Sequence, residues 1–506
     1  MNEPSAPPAL PPPLSGTKLM LAGLALALSN FVVVLDTTIA NVSMPHIAGS
    51  LGVSVTQGTW VITSYAVAEA ICVPLSGWLA QRFGVLRTFL TGLLGFGLFS
   101  ALCGLAPSIE TLVICRMFQG VCGAPLMPLS QTLLMTIFPG RKRTMASTLW
   151  SMTTVLGPVA GPLLGGTISA DWTWPWIFFI NLPIVLLCAG LSFRLLSAYE
   201  TAIRRLPIDY VGLGLLVIWV GSLQIMLDTG REKDWFSSNL ITLEAIVAAI
   251  FFVVFVIWEL TERHPVVDLK VLRHRGFTVG ASLIGLGFFG YVASLVVVPL
   301  WLQTNLGYPS DWSGRVSSTT GILAFLSAPV VGRLLGMVDP RRIVCVGFLW
   351  LALVNLVRSA SYTNMDFWSI TLGQMALGAG IMCFMVPNLT MAMASVLPSE
   401  TAGAAGVMNF MRTMAIALGT SLWTSIWANG ATISRDGMVG SLHPDALVAL
   451  GGSRSLRMIE QMTDQESLTR SMNQVFLYAV LVFLAGSLLV WLIPRPKGPL
   501  KPTAAH

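Results

Sequence analysis

The chain has 506 residues, of which 54% are apolar and only 10% are charged. Soluble domains carry about 25% charged residues, so a soluble protein of this size is excluded. Because one membrane span needs about 20 consecutive apolar residues, the apolar content suffices for roughly fourteen spans. The net charge of +6 comes from basic residues scattered between apolar runs. This pattern is typical of membrane loops and excludes a nucleic-acid-binding surface.

The first residues are polar and rich in proline, and an apolar run begins near residue 19. This pattern lacks the form of a cleaved signal peptide, so it predicts a short disordered tail over residues 1–18 and a retained first span. The seven cysteines all lie inside apolar runs, and none belongs to a CxxC pair. We therefore expect small core side chains at these positions, with neither a disulfide framework nor a metal site.

Fourteen apolar runs follow one another along the chain, and each is long enough for a transmembrane helix. They cover residues 19–42, 58–80, 87–106, 110–137, 145–170, 174–197, 209–228, 239–260, 276–303, 313–337, 341–360, 366–395, 402–429 and 474–494. The fifth run contains Gly157, Pro158, Gly161 and Pro162, which predict a distorted helix. The long connection over residues 431–473 is predicted to be an external loop with a short amphipathic helix.

The basic residues indicate how these spans are oriented. An even number of spans places both termini on the same side of the membrane. Most of the 29 basic residues then lie in loops and ends on the side of the termini. The positive-inside rule assigns that side to the cytoplasm, so the sequence predicts a multi-pass protein with both termini cytoplasmic.

A short pattern occurs once in each half of the chain with the same spacing. It consists of Pro74, Gly77, Leu79 and Arg87 in the first half and of Pro329, Gly332, Leu334 and Arg342 in the second. Transporters commonly show such weak internal symmetry. We therefore predict a six-helix bundle over residues 19–197, an inserted helix pair over 198–261, a second six-helix bundle over 262–494 that includes the external loop, and a cytoplasmic tail over 495–506.

Four motifs lie in order on the first half of the chain. They are LDTTIANV over residues 35–42; Gly77, Arg82, Gly84 and Arg87 after the second span; Arg116, Gln119, Gly120, Gly123 and Ala124 in the fourth; and Gly157, Gly161, Pro162, Gly165 and Gly166 in the fifth. A tryptophan-rich stretch over residues 172–178 follows, with Asn181 and Pro183. Together they resemble the major facilitator superfamily, in particular its fourteen-span drug:proton antiporter branch of EmrB/QacA-like multidrug exporters, EmrB above all. Gln81 stands where many members have aspartate, which weakens a charge-relay role for that loop.

The resemblance implies an all-α integral membrane protein with the major facilitator fold. It implies a proton-coupled efflux antiporter that exports hydrophobic drugs across the inner membrane, confers antibiotic resistance and needs no cofactor besides the proton gradient. The implied partners are hydrophobic small molecules, protons and the lipid bilayer. A periplasmic adaptor protein of the EmrA type and an outer-membrane channel are implied as well, whereas nucleic acid is not.

Charged side chains inside spans are costly and usually face a cavity or a partner, which makes them candidate functional residues. The sequence places Asp36, Glu69, Arg116 and Arg412 within spans, and Glu244 on the inserted pair. We interpret Asp36 as the carboxylate that loads and releases a proton, with a purely structural ion pair as the alternative. Since Asp36 and Arg116 lie at similar depths on their helices, we expect their side chains to meet.

The other charged residues each allow two interpretations. Glu69 either binds a proton or a cationic substrate, or makes a polar contact to a neighbouring helix. Arg412 either lines the cavity of the second half or bonds to the backbone of a neighbouring helix. Glu244 is the weaker candidate, because the inserted helices are expected to pack outside the two halves.

The conformational motifs also have two interpretations each. The glycines of the fifth span provide either an interface that slides during transport or ordinary tight packing. Arg82 and Arg87 either set the topology or form a cytoplasmic latch. The hydrophobic residues of the twelfth span provide either an adaptable binding wall or core packing; they are Met375, Met382, Phe384 and Met385.

Two further functions are alternatives to multidrug export. The first is export of a single metabolite, such as a fatty acid, a siderophore or an antibiotic. The second is a membrane-embedded enzyme, which is disfavoured because the five histidines are scattered and none lies in the middle of a span. No GxxxxGK[ST] phosphate-binding loop occurs, so ATP-driven pumping by this chain alone is not expected.

Overall fold

The computed structural model describes residues 14–138, 142–201, 203, 207–440 and 453–494, and every regular element within these ranges is a helix. The predicted tail over 495–506 lies outside the described residues. Residues 1–13 of the predicted tail over 1–18 also lie outside the described residues. The first helix begins at Gly16, within that predicted tail.

Eight helices of eight or more residues precede residue 200, besides the single turns Val55–Gly58 and Trp176–Phe179. They are α1 (Gly16–Ser50), α2 (Trp60–Cys72), α3 (Ser76–Phe83), α4 (Val85–Gly104), α5 (Ile109–Gly123), α6 (Leu126–Ile137), α7 (Arg143–Asp171) and α8 (Asn181–Leu196). Proline explains two interruptions, because it lacks the amide hydrogen that a helix requires. Pro74 separates α2 from α3, which meet at 60°, and Pro125 separates α5 from α6.

Eight more helices complete the described chain. They are α9 (Tyr210–Thr229), α10 (Asn239–Thr261), α11 (Arg275–Thr304), α12 (Ser310–Leu334), α13 (Pro340–Arg358), α14 (Phe367–Ala394), α15 (Thr401–Gly440) and α16 (Ser453–Leu489). Ten described helical segments are long and apolar enough to cross a membrane, and the bent pair α2–α3 makes eleven. The helices α7, α12 and α15 are as long, but they lack a stretch that is equally apolar and equally poor in charged residues. The protein is therefore a multi-pass membrane protein, and the number of fourteen spans stays a prediction.

The helices α1 and α7 pack with their backbones in close contact. A Cβ built on Gly157 would lie 2.6 Å from the Val34 Cβ, and one built on Gly165 would lie 3.0 Å from the Ile39 carbonyl oxygen. Such distances leave no room for a larger side chain, so small residues are required here. The predicted distortion of this span does not interrupt it, since α7 is one helix that includes both of its prolines.

The helices α11 to α16 form a second group, in which α12 packs against α14, α11 against α15 and α13 against α16. The two groups meet where α7 packs along α12. A Cβ built on Gly314 would lie 3.1 Å from the Pro162 carbonyl oxygen, and one on Gly321 would lie 2.8 Å from Val159. Small residues therefore also allow the close contact between α7 and α12.

The helices α9 and α10 differ from each other in their surroundings. Only 17% of the 18-residue apolar stretch of α10 is buried, and Phe252, Val253 and Ile257 are exposed on this helix. The helix α9 instead packs against both α2 and α15. The expectation that the inserted helices pack outside the two halves stays a prediction, since α9 contacts both groups of helices and α10 is largely exposed.

The predicted external loop over residues 431–473 is helical throughout its described part, and its external position stays a prediction. The helices α15 and α16 continue through both ends of this segment, and only residues 441–452 lie outside the described residues. Arg435 on α15 pairs with Glu460 at 3.2 Å and with Asp464 at 2.6 Å on α16. A pair of helices joined by charged residues therefore replaces the expected loop in the described part of this segment.

Contacts near the ends of the described chain identify one side of the bundle. The Leu14 amide donates to the Tyr199 hydroxyl at 3.0 Å, and Arg341 donates to the Ile493 carbonyl at 3.3 Å. We call the side of Leu14 and Ile493 the terminal side. The opposite side, to which the pair α15–α16 extends, is called the hairpin side.

The packing of α1 on α7 leads to a test with a matched control. Replacing Gly165 with valine should lower the free energy of unfolding by about 1–3 kcal/mol, because the added methyl groups overpack the contact. Replacing Gly190 with valine should have little effect, since a Cβ on Gly190 would have no neighbour within 4 Å. Thermal unfolding in detergent measures both. Equal melting temperatures for the two variants would contradict this description of the interface.

Candidate functional site

Asp36 and Arg116 form a buried ion pair in the first group of helices. The Arg116 Nη1 donates to the Asp36 Oδ2 at 2.5 Å. Arg116 is 1% exposed and Asp36 is fully buried. The expected meeting of these two side chains is confirmed. Since an isolated charge in the membrane is costly, each residue of the pair lowers the free-energy cost of burying the other.

Two amides complete the surroundings of the Asp36 carboxylate. The Asn181 Nδ2 donates to Asp36 Oδ1 at 2.8 Å, and the Gln119 Nε2 donates to the same oxygen at 3.2 Å. Gln119 lies one turn after Arg116 on α5 and accepts a bond from the Arg116 Nη1 at 2.9 Å. Asn181 is the first residue of α8. Helices α1, α5 and α8 are thus tied together at one carboxylate, and all of its donors stabilise the ionised form.

Aromatic rings and a backbone carbonyl surround the Arg116 guanidinium on its other sides. Its carbon lies 4.2 Å from the Tyr65 ring centre and 5.6 Å from the Phe178 ring centre. Its Nε donates to the Val61 carbonyl at 3.3 Å. Cation–π contacts of this kind compensate part of the lost hydration. Tyr65 and Val61 belong to α2, so this helix joins the same network.

Glu69 lies two turns from Val61 on α2 but in different surroundings. It is 7% exposed, and its side chain makes neither a hydrogen bond nor an ion pair among the described residues. The cations that act on it electrostatically are Arg412 first and Arg116 second. A buried carboxylate without a fixed donor is free to gain or lose a proton without breaking a contact.

Arg412 lies on α15 and faces the first group of helices. It is 4% exposed, and its Nη2 contacts the Met127 sulfur of α6. Its guanidinium carbon lies 5.4 Å from the Phe288 ring centre and 5.8 Å from the Trp150 ring centre. The Nε of Arg412 has no hydrogen-bond partner among the described residues. Arg412 therefore presents an available donor between apolar walls.

Polar contacts join the two groups next to Arg412. The Asn409 Nδ2 donates to the Gln131 Oε1 at 2.9 Å, and the Thr390 Oγ1 donates to the Ser147 Oγ at 2.9 Å. The Gln131 Nε2 and the Asn409 Oδ1 have no partners among the described residues. We call Gln131, Asn409 and Arg412 the polar cluster. It offers two donors and one acceptor that the protein itself leaves unsatisfied, a situation that usually indicates water or a ligand.

The loop between α3 and α4 lies on the terminal side. A Cβ built on Gly77 would lie 2.6 Å from the Gly403 Cα of α15, so this glycine permits direct contact between the two groups. Gly84 has a φ of +94°, which favours glycine. Glu200 accepts a bond from the Arg87 amide at 2.9 Å and lies 3.8 Å from its Nε.

The remaining candidates lie away from the ion pair. The Arg82 guanidinium lies 5.5 Å from the Trp78 ring centre and 5.7 Å from the Phe83 ring centre. Gly161 faces Thr38 of α1, and Gly166 is half-buried on the same helix α7. These positions accord with packing and do not by themselves assign a role in switching.

Two groups of candidates are not part of this arrangement. Glu244 is half-buried on α10, and the cation that acts on it is Lys233. Met382, Phe384 and Met385 are fully buried in the core of the second group, where Phe384 packs against Phe348. Core packing therefore describes these three side chains, and the alternative of a binding wall is not favoured for them.

Sequence reasoning assigned no role to Gln131 or to Asn409. A signal was present in the spacing. Met127 and Gln131 lie four residues apart on α6, and Asn409 and Arg412 lie three residues apart on α15. Both spacings place the two side chains on one helix face. What the sequence alone does not contain is that these two faces oppose each other.

Comparisons with known proteins agree with this architecture. The chain is 40% identical over 496 residues to the fatty acid resistance protein FarB of Neisseria gonorrhoeae, covering 96% of this chain and 98% of that protein. It is 40% identical over 499 residues to the multidrug export protein EmrB of Haemophilus influenzae, with the same coverage of 96% and 98%. A solved structure of a POT family transporter has a TM-score of 0.60 at 14% identity, covering 93% of this chain and 96% of that one, which shows the fold alone.

The sequence profile of the Major Facilitator Superfamily matches residues 26–420 of the chain. This match covers well over half of the chain, and the two relatives match it over nearly their whole lengths. The all-helical membrane architecture with two packed groups agrees with both findings. The chain therefore belongs to the Major Facilitator Superfamily, and it is a membrane transporter, not an enzyme.

Proposed function

We propose that this transporter is a proton-coupled antiporter that exports hydrophobic drugs. The observation that carries the proposal is the arrangement of Glu69 beside the Asp36–Arg116 pair, facing Arg412 of the other group. One carboxylate is held by fixed donors and the other is without them. The name of the EmrB relative, a multidrug export protein, supports the choice of substrate.

Glu69 is the group that exchanges the proton in this scheme. Its charge and that of Arg412 attract each other across the two groups of helices. Protonation of Glu69 removes this attraction, and deprotonation restores it. The protonation state therefore biases how closely α2 and α15 approach. Asp36 remains bound to Arg116 in this arrangement, and its proton exchange requires that pair to open.

The polar cluster receives the polar end of the substrate. Its unsatisfied donors belong to Gln131 and Arg412, and its unsatisfied acceptor belongs to Asn409. Trp150 and Phe288 supply apolar surface beside the guanidinium. A hydrophobic compound with a hydrogen-bonding head group fits both features.

We further propose that the terminal side is cytoplasmic and that the protein lies in the inner membrane. The contacts Gln131–Asn409, Ser147–Thr390 and Gly77–Gly403 join the two groups towards the terminal side. They would have to part for a substrate to enter from the cytoplasm. The pair α15–α16 then extends outwards, where an EmrA-like periplasmic adaptor protein and an outer-membrane channel would continue the export path.

A second candidate is an exporter dedicated to fatty acids. It is favoured by the name of the FarB relative and by the Arg412 Nε, which has no hydrogen-bond partner among the described residues and suits a carboxylate head group. The two candidates differ in selectivity. Export of chemically unrelated cationic and neutral drugs supports the first, whereas export restricted to long-chain carboxylates supports the second.

Replacing Glu69 with glutamine should abolish the release of protons that follows addition of a substrate to the purified protein. The amide keeps the size of the side chain but cannot exchange a proton. A pH-sensitive dye in weakly buffered detergent solution measures the release. The control is the change of the exposed Glu110 to glutamine, which should release as many protons as the wild type. Unchanged proton release by the Glu69 variant would refute its role.

The ion pair predicts a characteristic double-mutant cycle. The changes Asp36→Asn and Arg116→Gln should each lower the free energy of unfolding by about 3–5 kcal/mol, because each leaves one buried charge without its partner. The double variant should recover most of this loss and still fail to transport. Arg116→Lys should restore only part of the stability that Arg116→Gln loses, since a lysine lacks the guanidinium fork.

Thermal unfolding and transport assays on the same preparations measure this cycle. The interaction energy is the departure of the double variant from the sum of the two single changes. Additive losses in stability would show that the pair is not a source of stability. Coupled transport by the double variant would show that it is not needed for function.

A further inference from the structure

A cavity lies on the terminal side, directly beside the contact between Gly77 and Gly403. Its volume is about 160 Å³. Gly77 of α3 and Gly403 of α15 both line it, so it borders both groups of helices. Its remaining wall is the connection between α10 and α11, which contributes Arg263, His264 and Lys270. A ligand in this cavity would therefore contact the first group, the second group and this connection at once.

Hydrogen bonds hold the walls of this cavity in place. The Val267 amide, in the connection before α11, donates to the Glu259 Oε2 at the end of α10 at 3.1 Å, and both residues are buried. The Trp78 indole of α3, which lines the cavity, donates to the Pro207 carbonyl just before α9 at 3.4 Å. The cavity is therefore a defined part of the fold, because its walls are attached to the helices that they join.

Basic side chains prevail over acidic ones in the lining of the cavity. Arg263 and Lys270 are exposed there, and neither side chain forms an ion pair among the described residues. Among the described residues that line the cavity, Asp268 carries the one carboxylate, and its Oδ1 already accepts from the Lys270 amide at 3.1 Å. The carboxylate of Glu262 does not line the cavity and accepts from the Arg263 and His264 amides at 2.8 and 3.2 Å. The lining is therefore suited to an anion.

The basic residues that follow in the same connection are paired within the protein. The Arg273 Nη2 lies 2.5 Å from the Glu400 Oε1, and the His274 Nε2 lies 2.9 Å from the Glu400 Oε2. Glu400 precedes α15, so these contacts attach the start of α11 to the second group. Arg263 and Lys270, in contrast, keep their charges available to a ligand.

A phosphate group matches the size and the chemistry of this cavity. A single water needs only about 10–15 Å³ of such space, so several non-hydrogen atoms fit. Arg263 offers a planar fork and Lys270 a point charge, and both are suited to phosphate oxygens. Trp78 indicates the depth of the lipid head groups, where tryptophan rings are enriched. Basic pockets between helices at the cytoplasmic face of a membrane are typical sites for lipid phosphates.

We propose that this cavity binds a phosphate group, carried by an anionic lipid or by a soluble compound, and that the bound phosphate holds the terminal side closed. The effect on closure rests on the two groups parting at this side, as proposed above. Because Gly77 and Gly403 belong to different groups and line the cavity together, parting them divides it. A ligand that binds only the undivided cavity stabilises the closed state.

Thermal unfolding of the purified protein in detergent tests the binding site with two probes. They are inorganic phosphate and dioctanoyl phosphatidic acid, and dioctanoylglycerol, which lacks the phosphate, is the control compound. At least one probe should raise the melting temperature in a saturable way, and the control compound should not. The double change Arg263→Gln with Lys270→Gln should weaken this binding about tenfold, because it removes both charges. The matched double change Arg275→Gln with Arg342→Gln, at exposed positions outside the cavity, should leave it unchanged.

The two probes also distinguish the source of the phosphate. Saturation by phosphatidic acid alone assigns a lipid, saturation by inorganic phosphate alone assigns a soluble ligand, and saturation by both assigns recognition of the phosphate group itself. Binding of neither probe, or equal weakening in the two double variants, would overturn the site. These outcomes do not depend on which compound the protein exports.

A cysteine between the two groups tests the effect on closure without a transport assay. The background is a protein in which the seven native cysteines are replaced by alanine, with the single change Ser147→Cys. Ser147 is fully buried beside Thr390 of the other group, so a thiol reagent reaches it when the terminal side parts. A saturating probe should slow its alkylation about threefold, because the closed state is more populated. The slowing should be lost when Arg263→Gln and Lys270→Gln are added. An unchanged or faster alkylation with bound probe would contradict the role in closure.

Discussion

The buried ion pair of Asp36 and Arg116 is the interaction on which the first group of helices depends. A charge inside the membrane is tolerated only with a partner, and here the carboxylate has three donors from two other helices. Because α1, α2, α5 and α8 all contribute to this network, a shift of any one of them would remove a partner of the buried pair. We therefore expect these four helices to move together.

The contacts between the two groups are of a weaker kind. They consist of amide and hydroxyl hydrogen bonds and of glycines that allow backbones to touch, as at Gln131–Asn409 and Gly77–Gly403. Neutral hydrogen bonds of this type contribute about 0.5–1.5 kcal/mol each, so a protonation event or a bound substrate can compete with them. A buried ion pair holds helices of the first group together, while neutral polar contacts and small residues supply most of the contacts between the two groups. This division is what a transporter with two alternating states requires.

Several features could be predicted from the sequence because a physical cost is visible in it. Charges such as Asp36 and Arg116 stand out in apolar runs, and their similar depth predicted that they meet. The glycines of α7 predicted close helix packing, which is found against α1. The roles of Asp36, Glu69 and Arg412 in proton coupling stay predictions, since geometry alone does not show a proton moving.

Other features could not be predicted because apolarity does not report them. The polar residue Gln131 is unremarkable within its own helix, and its importance arises from Asn409 on a helix far away in the chain. The position of α9 between α2 and α15 depends on which helices lie side by side. The helical continuation of α15 and α16 past residues 430 and 473 is accompanied by charge pairs such as Arg435–Asp464, which a pattern of apolar runs does not reveal.

The most direct test of the account is transport by the purified protein in liposomes without ATP. The account predicts that an imposed proton gradient drives a hydrophobic drug against its own concentration gradient, and that an agent which dissipates the proton gradient stops this accumulation at once. Drug movement that only equalises the concentrations, at a rate independent of the proton gradient, would contradict it.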